Sequence, residues 1–135
     1  MDVDMSGLRG FIEIARHSNE MRKKNQLVDF VLVNDNGDQV WGHTPMMASM
    51  SPLIEEIAKM GERRALLKNI SAGSLEHIVN FMYTADVAFL TRDNVDNILA
   101  GASELRMRHL QEACLDFLQN NANGNEDNLT ARCLG

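Results

Sequence analysis

The chain is poor in aromatic residues, cysteine and clustered positive charge. Aromatic residues make up 5% of the sequence, and the net charge is −6. Nucleic-acid interfaces need clustered lysine and arginine, so we expect no nucleic-acid contact by this domain. The two cysteines, Cys114 and Cys133, lie too far apart in sequence to suggest a metal knuckle, and they give no disulfide framework. This favours a reduced protein of the cytoplasm, with the nucleus as the alternative.

Long apolar runs and a secretory leader are also missing, and we expect no membrane association. The length of 135 residues suits one domain with its own core. The hydrophobic content of 44% is ordinary for a globular protein, whereas nine methionines are unusual beside so few aromatics. Methionine side chains are adaptable and suit a core or an interface.

No residue pattern typical of an enzyme or a metal site is evident. His43 follows a predicted strand with no cysteine or carboxylate at ligand spacing, and we interpret it as a hydrogen-bonded core residue. Glu55 and Glu56 are adjacent in a predicted helix, and adjacent helix residues do not face each other as paired acids must. We therefore expect no catalysis, no cofactor and no bound metal.

An apolar run and a hairpin signal define the centre of the chain. Residues 28–33 are apolar apart from Asp29, which predicts a central strand. Asn36-Gly37 supplies the positive φ that a tight hairpin needs, and residues 39–41 return as the second strand. Two further short strands are predicted, at residues 65–70 and 87–90.

Helical periodicity dominates the rest of the sequence. Residues 8–24 place most apolar side chains on one helical face, although the alternation at residues 11–15 leaves a short strand as the alternative. Pro45 and Pro52 suit the first turns of two helices. Three later helices are predicted, starting from Ser71 or Ser74, from residues 91–93 and over residues 108–119. This order predicts an α+β domain, with a small, mainly antiparallel sheet capped by about five to six helices.

The ordered set of these pieces resembles the BTB/POZ domain over nearly all of residues 8–119. Each piece is common alone, but their order is specific, and Ala85 replaces the glycine usual in one of them. The pieces are Asn19-Glu20-Met21-Arg22-Lys23, Leu27-Val28-Asp29-Phe30-Val31-Leu32, His43, Met47-Ala48-x-x-Ser51-Pro52, Asn80-Phe81-Met82-Tyr83-Thr84, Asn94-Val95 through Leu105-x-Met107, and Leu110-x-x-x-Cys114-x-x-Phe117-Leu118.

The resemblance divides the chain into three parts. It assigns residues 1–26 to an N-terminal dimerisation segment and residues 27–119 to the BTB/POZ core. Residues 120–135 become a polar linker, consistent with their Asn-rich composition, and the start of a BACK-like helical segment. The kelch-like branch of the family fits best.

That branch implies a contact with the N-terminal region of cullin-3. Residues 60–62, Met-Gly-Glu, resemble the hydrophobic-x-Glu element of such adaptors, in a loop that is about two residues shorter here than is usual for the family. An apolar anchor beside a polar group suits a flat interface. The residues that the resemblance assigns to this contact are Leu53, Ile54, Ile57, Met60, Glu62 and Met107.

A second copy of the chain is the other implied partner. In the family the first helix packs across a two-fold axis, although here it could instead fold back on its own chain. The residues assigned to the dimer interface are Leu8, Phe11, Ile12, Ala15, Met21, Leu27, Met46 and Met50.

Asp29 and His43 are assigned to the structural core. BTB domains usually carry lysine or arginine directly after the motif histidine, near the strand aspartate, but Thr44 stands there in this chain. An unpaired buried carboxylate is costly. Asp29 must therefore find its partner in backbone donors, Thr44, His43 or solvent.

The function implied by the resemblance is that of a homodimeric substrate adaptor for a cullin-3 RING ubiquitin ligase. The substrate protein would be held by regions beyond residue 135. One alternative is a transcription-regulator BTB domain that recruits a corepressor, because residues 12–17 resemble the leading strand of zinc-finger BTB proteins. Another is a homotypic assembly module without cullin binding, which the shortened loop favours.

Overall fold

The computed structural model describes the backbone of residues 5–126 and the side chains of residues 7–121. Within this range the chain forms six helices and three strands, and the predicted α+β class is confirmed. The elements are α1 (Met5–Lys23), β1 (Phe30–Asn34), β2 (Gln39–Gly42), α2 (Thr44–Met50), α3 (Pro52–Lys59), β3 (Arg64–Leu67), α4 (Ala72–Thr84), α5 (Val95–Glu104) and α6 (Arg108–Glu126).

The sheet is three-stranded and mixed, with β1 between β2 and β3. β1 pairs antiparallel with β2 and parallel with β3, so the expectation of a mainly antiparallel sheet needs correction. The hairpin turn between β1 and β2 is closed by Asn34, whose Oδ1 accepts the backbone N–H of Asn36 at 3.0 Å and of Asp38 at 2.8 Å. Gly37 takes a φ of +89°, as the hairpin signal predicts. Because a parallel pair needs a crossover, α2 and α3 lie between β2 and β3 in sequence.

The core lies between one face of the sheet and the helices. Phe30 and Leu32 point from β1 into this core and are fully buried, as is Ile98 of α5. At Gly101 an added Cβ would lie 2.6 Å from the Cδ1 of Ile78, so a side chain there would clash with α4. This close approach explains a glycine in the middle of α5, where glycine otherwise weakens a helix.

Several predicted elements have different limits in the structure. Residues 87–90 form a turn rather than a strand, closed by a 3.1 Å bond from Leu90 N–H to Val87 O. Residues 11–15 lie inside α1, so the alternative strand does not form. Residues 120–126 continue α6 instead of beginning the linker, while residues 127–135, with the BACK-like start, lie outside the described residues.

No helix in residues 5–126 has the length and apolarity that a membrane crossing requires. The part of the chain that the structure describes also contains no group of three or more His, Cys, Asp or Glu placed to hold a metal ion.

Candidate protein-interaction surfaces

The C-terminal half of α1 is fixed to its own chain through α4. Arg22 is buried, and its Nη2 lies 3.0 Å from the Oε2 of Glu76. Its Nε donates to Asn19 Oδ1 at 2.9 Å, and its guanidinium carbon lies 5.4 Å from the centroid of the Tyr83 ring. Asn19 in turn donates to Asn80 of α4 at 3.0 Å. These contacts hold the C-terminal half of α1 against its own chain, as in the alternative in which the helix folds back.

The N-terminal half of α1 instead presents apolar side chains to solvent. Leu8 is 49% exposed, Phe11 65% and Ile12 46%. Ile14 is 67% exposed as well, and the sequence reasoning did not assign it to an interface because it lies off the main apolar face. Exposed large apolar residues close together are typical of a surface that another protein covers.

Two apolar grooves flank Phe11. The first has a volume of about 520 Å³ and lies between α1, α2 and the end of α4. The second, of about 450 Å³, lies between α1, the segment after it and α2. Seven of the eight residues predicted for the dimer interface line one groove or the other, and Leu8 lies outside them. We call these seven the helix-1 face: Phe11, Ile12, Ala15, Met21, Leu27, Met46 and Met50.

Leu27 is the most unusual member of the helix-1 face. Its side chain is 82% exposed, and its backbone has a φ of +59°, in the left-handed region. That conformation is costly for a bulky residue. Leu27 follows the turn that terminates α1 after Lys23, in which Asn25 is also left-handed at φ +56° and Gln26 N–H bonds back to Met21 O at 2.8 Å. An exposed apolar residue in a strained conformation suggests a functional position.

His43 joins α4 to the segment between α1 and β1. Its Nδ1 lies 2.7 Å from the Tyr83 hydroxyl, and its Nε2 lies 2.9 Å from Gln26 O. Because a carbonyl oxygen only accepts, Nε2 donates to Gln26 O, and in the neutral imidazole Nδ1 then accepts from the Tyr83 hydroxyl. That hydroxyl also accepts the backbone N–H of His43 at 2.8 Å. Burial raises the pKa of Tyr83, which keeps it protonated and able to donate.

Asp29 does not lie in the core, contrary to the prediction. Its side chain is exposed, and one carboxylate oxygen accepts both the backbone N–H and the hydroxyl of Thr44, at 2.8 and 2.9 Å. Asp29 lies directly before β1. Through its bonds to Thr44 it caps the first turn of α2, where backbone N–H groups lack helical partners. Thr44 is thus one of the partners that were expected for Asp29 from the sequence.

The loop after α3 is fixed by a Schellman motif. Glu62 N–H bonds to Ile57 O at 3.1 Å, and Gly61 N–H bonds to Ala58 O at 3.0 Å. Gly61 sits in the left-handed region at φ +89°, where glycine carries no Cβ penalty. The guanidinium of Arg63 donates to Ala58 O and Glu62 O, each at 3.0 Å. The short loop is thus held at every residue.

The residues predicted to contact cullin-3 divide into two groups. Met60 is 76% exposed and Glu62 is exposed, while Leu53 and Ile57 are half-buried beside them on α3. Ile54 and Met107 are only 0% and 2% exposed. Both belong to the core, so the prediction that they touch a partner directly is wrong. Sequence periodicity could not show which apolar residues of α3 turn inward.

An ion pair that the sequence did not reveal fastens α3 to the turn between α5 and α6. Arg106 Nη1 lies 2.8 Å from Glu56 Oε2. Arg106 occupies the left-handed position after α5 at φ +60°, and the next N–H, of Met107, bonds to Ala102 O at 2.8 Å. Beneath this pair the hydroxyl of Ser51 donates to Leu105 O at 2.7 Å. The ion pair is exposed, so the buried Ser51 bond is the stronger tie between the start of α3 and the turn before α6.

Comparison with known proteins agrees with this architecture. Residues 18–122 match the family described as the BTB/POZ domain. Kelch-like protein 41a of Danio rerio is 30% identical over 110 residues, and kelch-like protein 3 of Mus musculus is 27% identical over 106. Each alignment covers 75% of this chain but 18% of the relative, so the chain spans less than a fifth of these relatives. The BTB domain of zebrafish PATZ1 has a similar fold, with a TM-score of 0.72 at 19% identity, covering 89% of this chain and 97% of that one.

Proposed function

This chain belongs to the BTB/POZ family of protein-interaction domains, and we propose that it homodimerises and serves as a substrate adaptor for a cullin-3 ubiquitin ligase. The kelch-like relatives support this branch of the family. On this proposal the domain performs no covalent chemistry. It fixes the distance between the ligase and a substrate held elsewhere in the protein.

Dimerisation is supported by the helix-1 face. The grooves of about 520 and 450 Å³ share Phe11 and Met46, so they form one continuous apolar surface. A two-fold dimer buries the same surface on both subunits, and each apolar contact then counts twice. Because Arg22 and Asn19 already fix α1 to its own chain, the dimer would form between preformed surfaces.

The single observation that carries the cullin proposal is Met60, 76% exposed beside Glu62 on a corner closed by hydrogen bonds. Because the backbone of this corner is already held by hydrogen bonds, binding would cost it little backbone conformational entropy. Leu53 and Ile57 extend the apolar patch along α3, and the Arg106–Glu56 pair supports it. The shortened loop does not leave the anchor loose, which weakens the case for a module without cullin binding.

The corepressor alternative lost its sequence support. It depended on residues 12–17 resembling a leading strand, but these residues lie within α1. The likeness to the PATZ1 domain, at 19% identity, concerns the fold. We therefore favour the adaptor function.

Titration of the purified chain with the N-terminal half of cullin-3, followed by calorimetry, tests the proposal. We expect binding, and a loss of about 1–3 kcal/mol for Met60→Ala and for Glu62→Ala if each is an anchor. Leu66→Ala is the matched control, because Leu66 is a 49% exposed apolar residue on β3 rather than beside the loop. Absence of any heat of binding at high micromolar concentrations would refute the adaptor function.

A further inference from the structure

We propose that Met60 is an oxidation site, and that its conversion to methionine sulfoxide by peroxide switches off the cullin contact. The inference rests on the proposed function, since it assigns a chemical control to the same anchor. It does not follow from the family resemblance, which asks only for a hydrophobic residue at this position.

Exposure singles out Met60 among the methionines whose side chains the structure describes. Three of them are at most 3% exposed in the core: Met47, Met82 and Met107. Three more are half-buried in the helix-1 face, which the proposed dimer would cover: Met21, Met46 and Met50. Met60 is 76% exposed. Oxidation of methionine requires access of the oxidant to sulfur, so Met60 should react first.

The local backbone keeps this sulfur accessible. Met60 directly precedes the left-handed residue Gly61, and a Cβ added to Gly61 would meet no atom within 4 Å other than those of Gly61 and its two neighbours. The Schellman bonds and the Arg63 contacts hold the backbone of this corner, from which the Met60 side chain extends with 76% of its surface exposed. The same geometry that offers Met60 to a partner offers it to a small oxidant.

The reaction needs only hydrogen peroxide. A sulfur lone pair attacks one peroxide oxygen, an S–O bond forms, the O–O bond breaks, and the departing hydroxide takes the remaining proton to leave as water. Sulfur loses two electrons and peroxide gains them. The product is a polar, chiral sulfoxide in place of an apolar thioether, and methionine sulfoxide reductases reverse it.

The sulfoxide would be a poor anchor. Its oxygen would have to enter an apolar pocket of the partner without a hydrogen-bond donor, which carries the penalty of burying an unpaired polar group. Glu62 would keep its position, because its N–H bond to Ile57 O does not involve the Met60 side chain. We expect the affinity for cullin to fall about tenfold or more, comparable to removal of a hot-spot side chain.

The test oxidises the chain alone with hydrogen peroxide, removes the excess with catalase, and then titrates the N-terminal half of cullin-3. Peptide mapping follows each methionine over time. The matched variant is Met60→Leu, which keeps an apolar anchor of similar size but has no thioether. We expect Met60 to be oxidised well before Met47, Met82 and Met107. We also expect wild-type binding to weaken with that oxidation and to recover after treatment with the A and B sulfoxide reductases. Whatever affinity Met60→Leu has before treatment, peroxide should leave it unchanged, because leucine has no sulfur to oxidise.

The outcomes separate the two proposals. If the untreated chain does not bind cullin, both the adaptor function and the proposed oxidation switch are refuted. If the untreated chain binds and full oxidation of Met60 leaves the affinity unchanged, only the inference fails. Equal weakening of wild type and Met60→Leu by peroxide would also overturn it, because the sensitive group would then lie elsewhere.

Discussion

Replacing Leu27 with asparagine should separate dimerisation from the stability of the subunit. Leu27 is strained at φ +59° and 82% exposed, so it contributes little to its own subunit. The left-handed conformation costs most residues about 1–2 kcal/mol, whereas asparagine adopts it readily. Leu27→Asn should therefore leave the isolated subunit as stable as before, or more stable by up to about 1 kcal/mol.

The cost to the dimer can be worked from the exposed fraction. Full burial of a leucine side chain is worth about 1.5–3 kcal/mol, and four-fifths of that surface is still open on Leu27, which leaves about 1.2–2.5 kcal/mol per subunit. A two-fold interface counts the contact twice, about 2.4–5 kcal/mol in all. The dissociation constant of the dimer should then rise roughly 60- to 5,000-fold.

Sedimentation equilibrium from nanomolar to tens of micromolar concentration measures this constant. The stability of the isolated subunit is measured as the free energy of unfolding in urea of Phe11→Glu, a variant designed to be monomeric, with and without Leu27→Asn. Leu115→Asn is the matched control, because Leu115 is 55% exposed on α6 and lines neither groove. The reasoning is refuted if Leu27→Asn dimerises as tightly as wild type. It is also refuted if the substitution lowers the free energy of unfolding of the monomeric variant by more than about 1 kcal/mol, since Leu27 would then pack within its own subunit.

Three further predictions concern the domain itself. Ala85, at φ +57° after α4, stands where glycine is preferred, so Ala85→Gly should raise the free energy of unfolding in urea by about 0.5–1 kcal/mol; a decrease would show that the position is not strained. Arg22→Ala should lower the free energy of unfolding by about 2–3 kcal/mol, which is less than the loss of a fully buried ion pair because Glu76 is half-exposed. Lys59→Ala, which breaks only an exposed pair, should lower it by less than about 0.5 kcal/mol. Similar losses for the two variants would contradict this. Burial raises the pKa of Cys114 to about 11, so the proton is held more tightly in the folded state, and stability should fall as pH rises from about 9 to 11. Cys114→Ala should flatten that fall, measured by urea unfolding across the range, and an unchanged slope would assign the fall to other groups.

Local signals in the sequence predicted most of the elements. The Asn36-Gly37 turn fixed the hairpin, and Ser71 caps α4 by accepting the N–H of Ser74 at 3.1 Å. The apolar periodicity of residues 8–24 predicted α1 against its strand alternative. Each of these signals depends on neighbours within a few positions in sequence.

Features that depend on distant residues were not predictable in the same way. The parallel pairing of β1 with β3 joins segments more than 30 positions apart, and Arg22 meets Glu76 across 54 positions. The composition of residues 120–126 predicted a linker, but these residues continue α6. The side chain of Asn121 donates to Phe117 O at 2.8 Å, within the same helix. The burial of Ile54 depends on how α3 rotates against the core, which periodicity over eight residues does not determine.

The central claim is that one surface of this domain joins a second copy while another holds cullin-3. Sedimentation equilibrium of the chain mixed with the N-terminal half of cullin-3 tests both parts at once. We predict a complex of two chains and two cullin fragments. At concentrations a few times above the wild-type dissociation constants, Met60→Ala should shift it towards the free dimer and Leu27→Asn towards one chain with one fragment. A dimer that never takes up cullin, or a complex that both variants leave intact, would contradict the account.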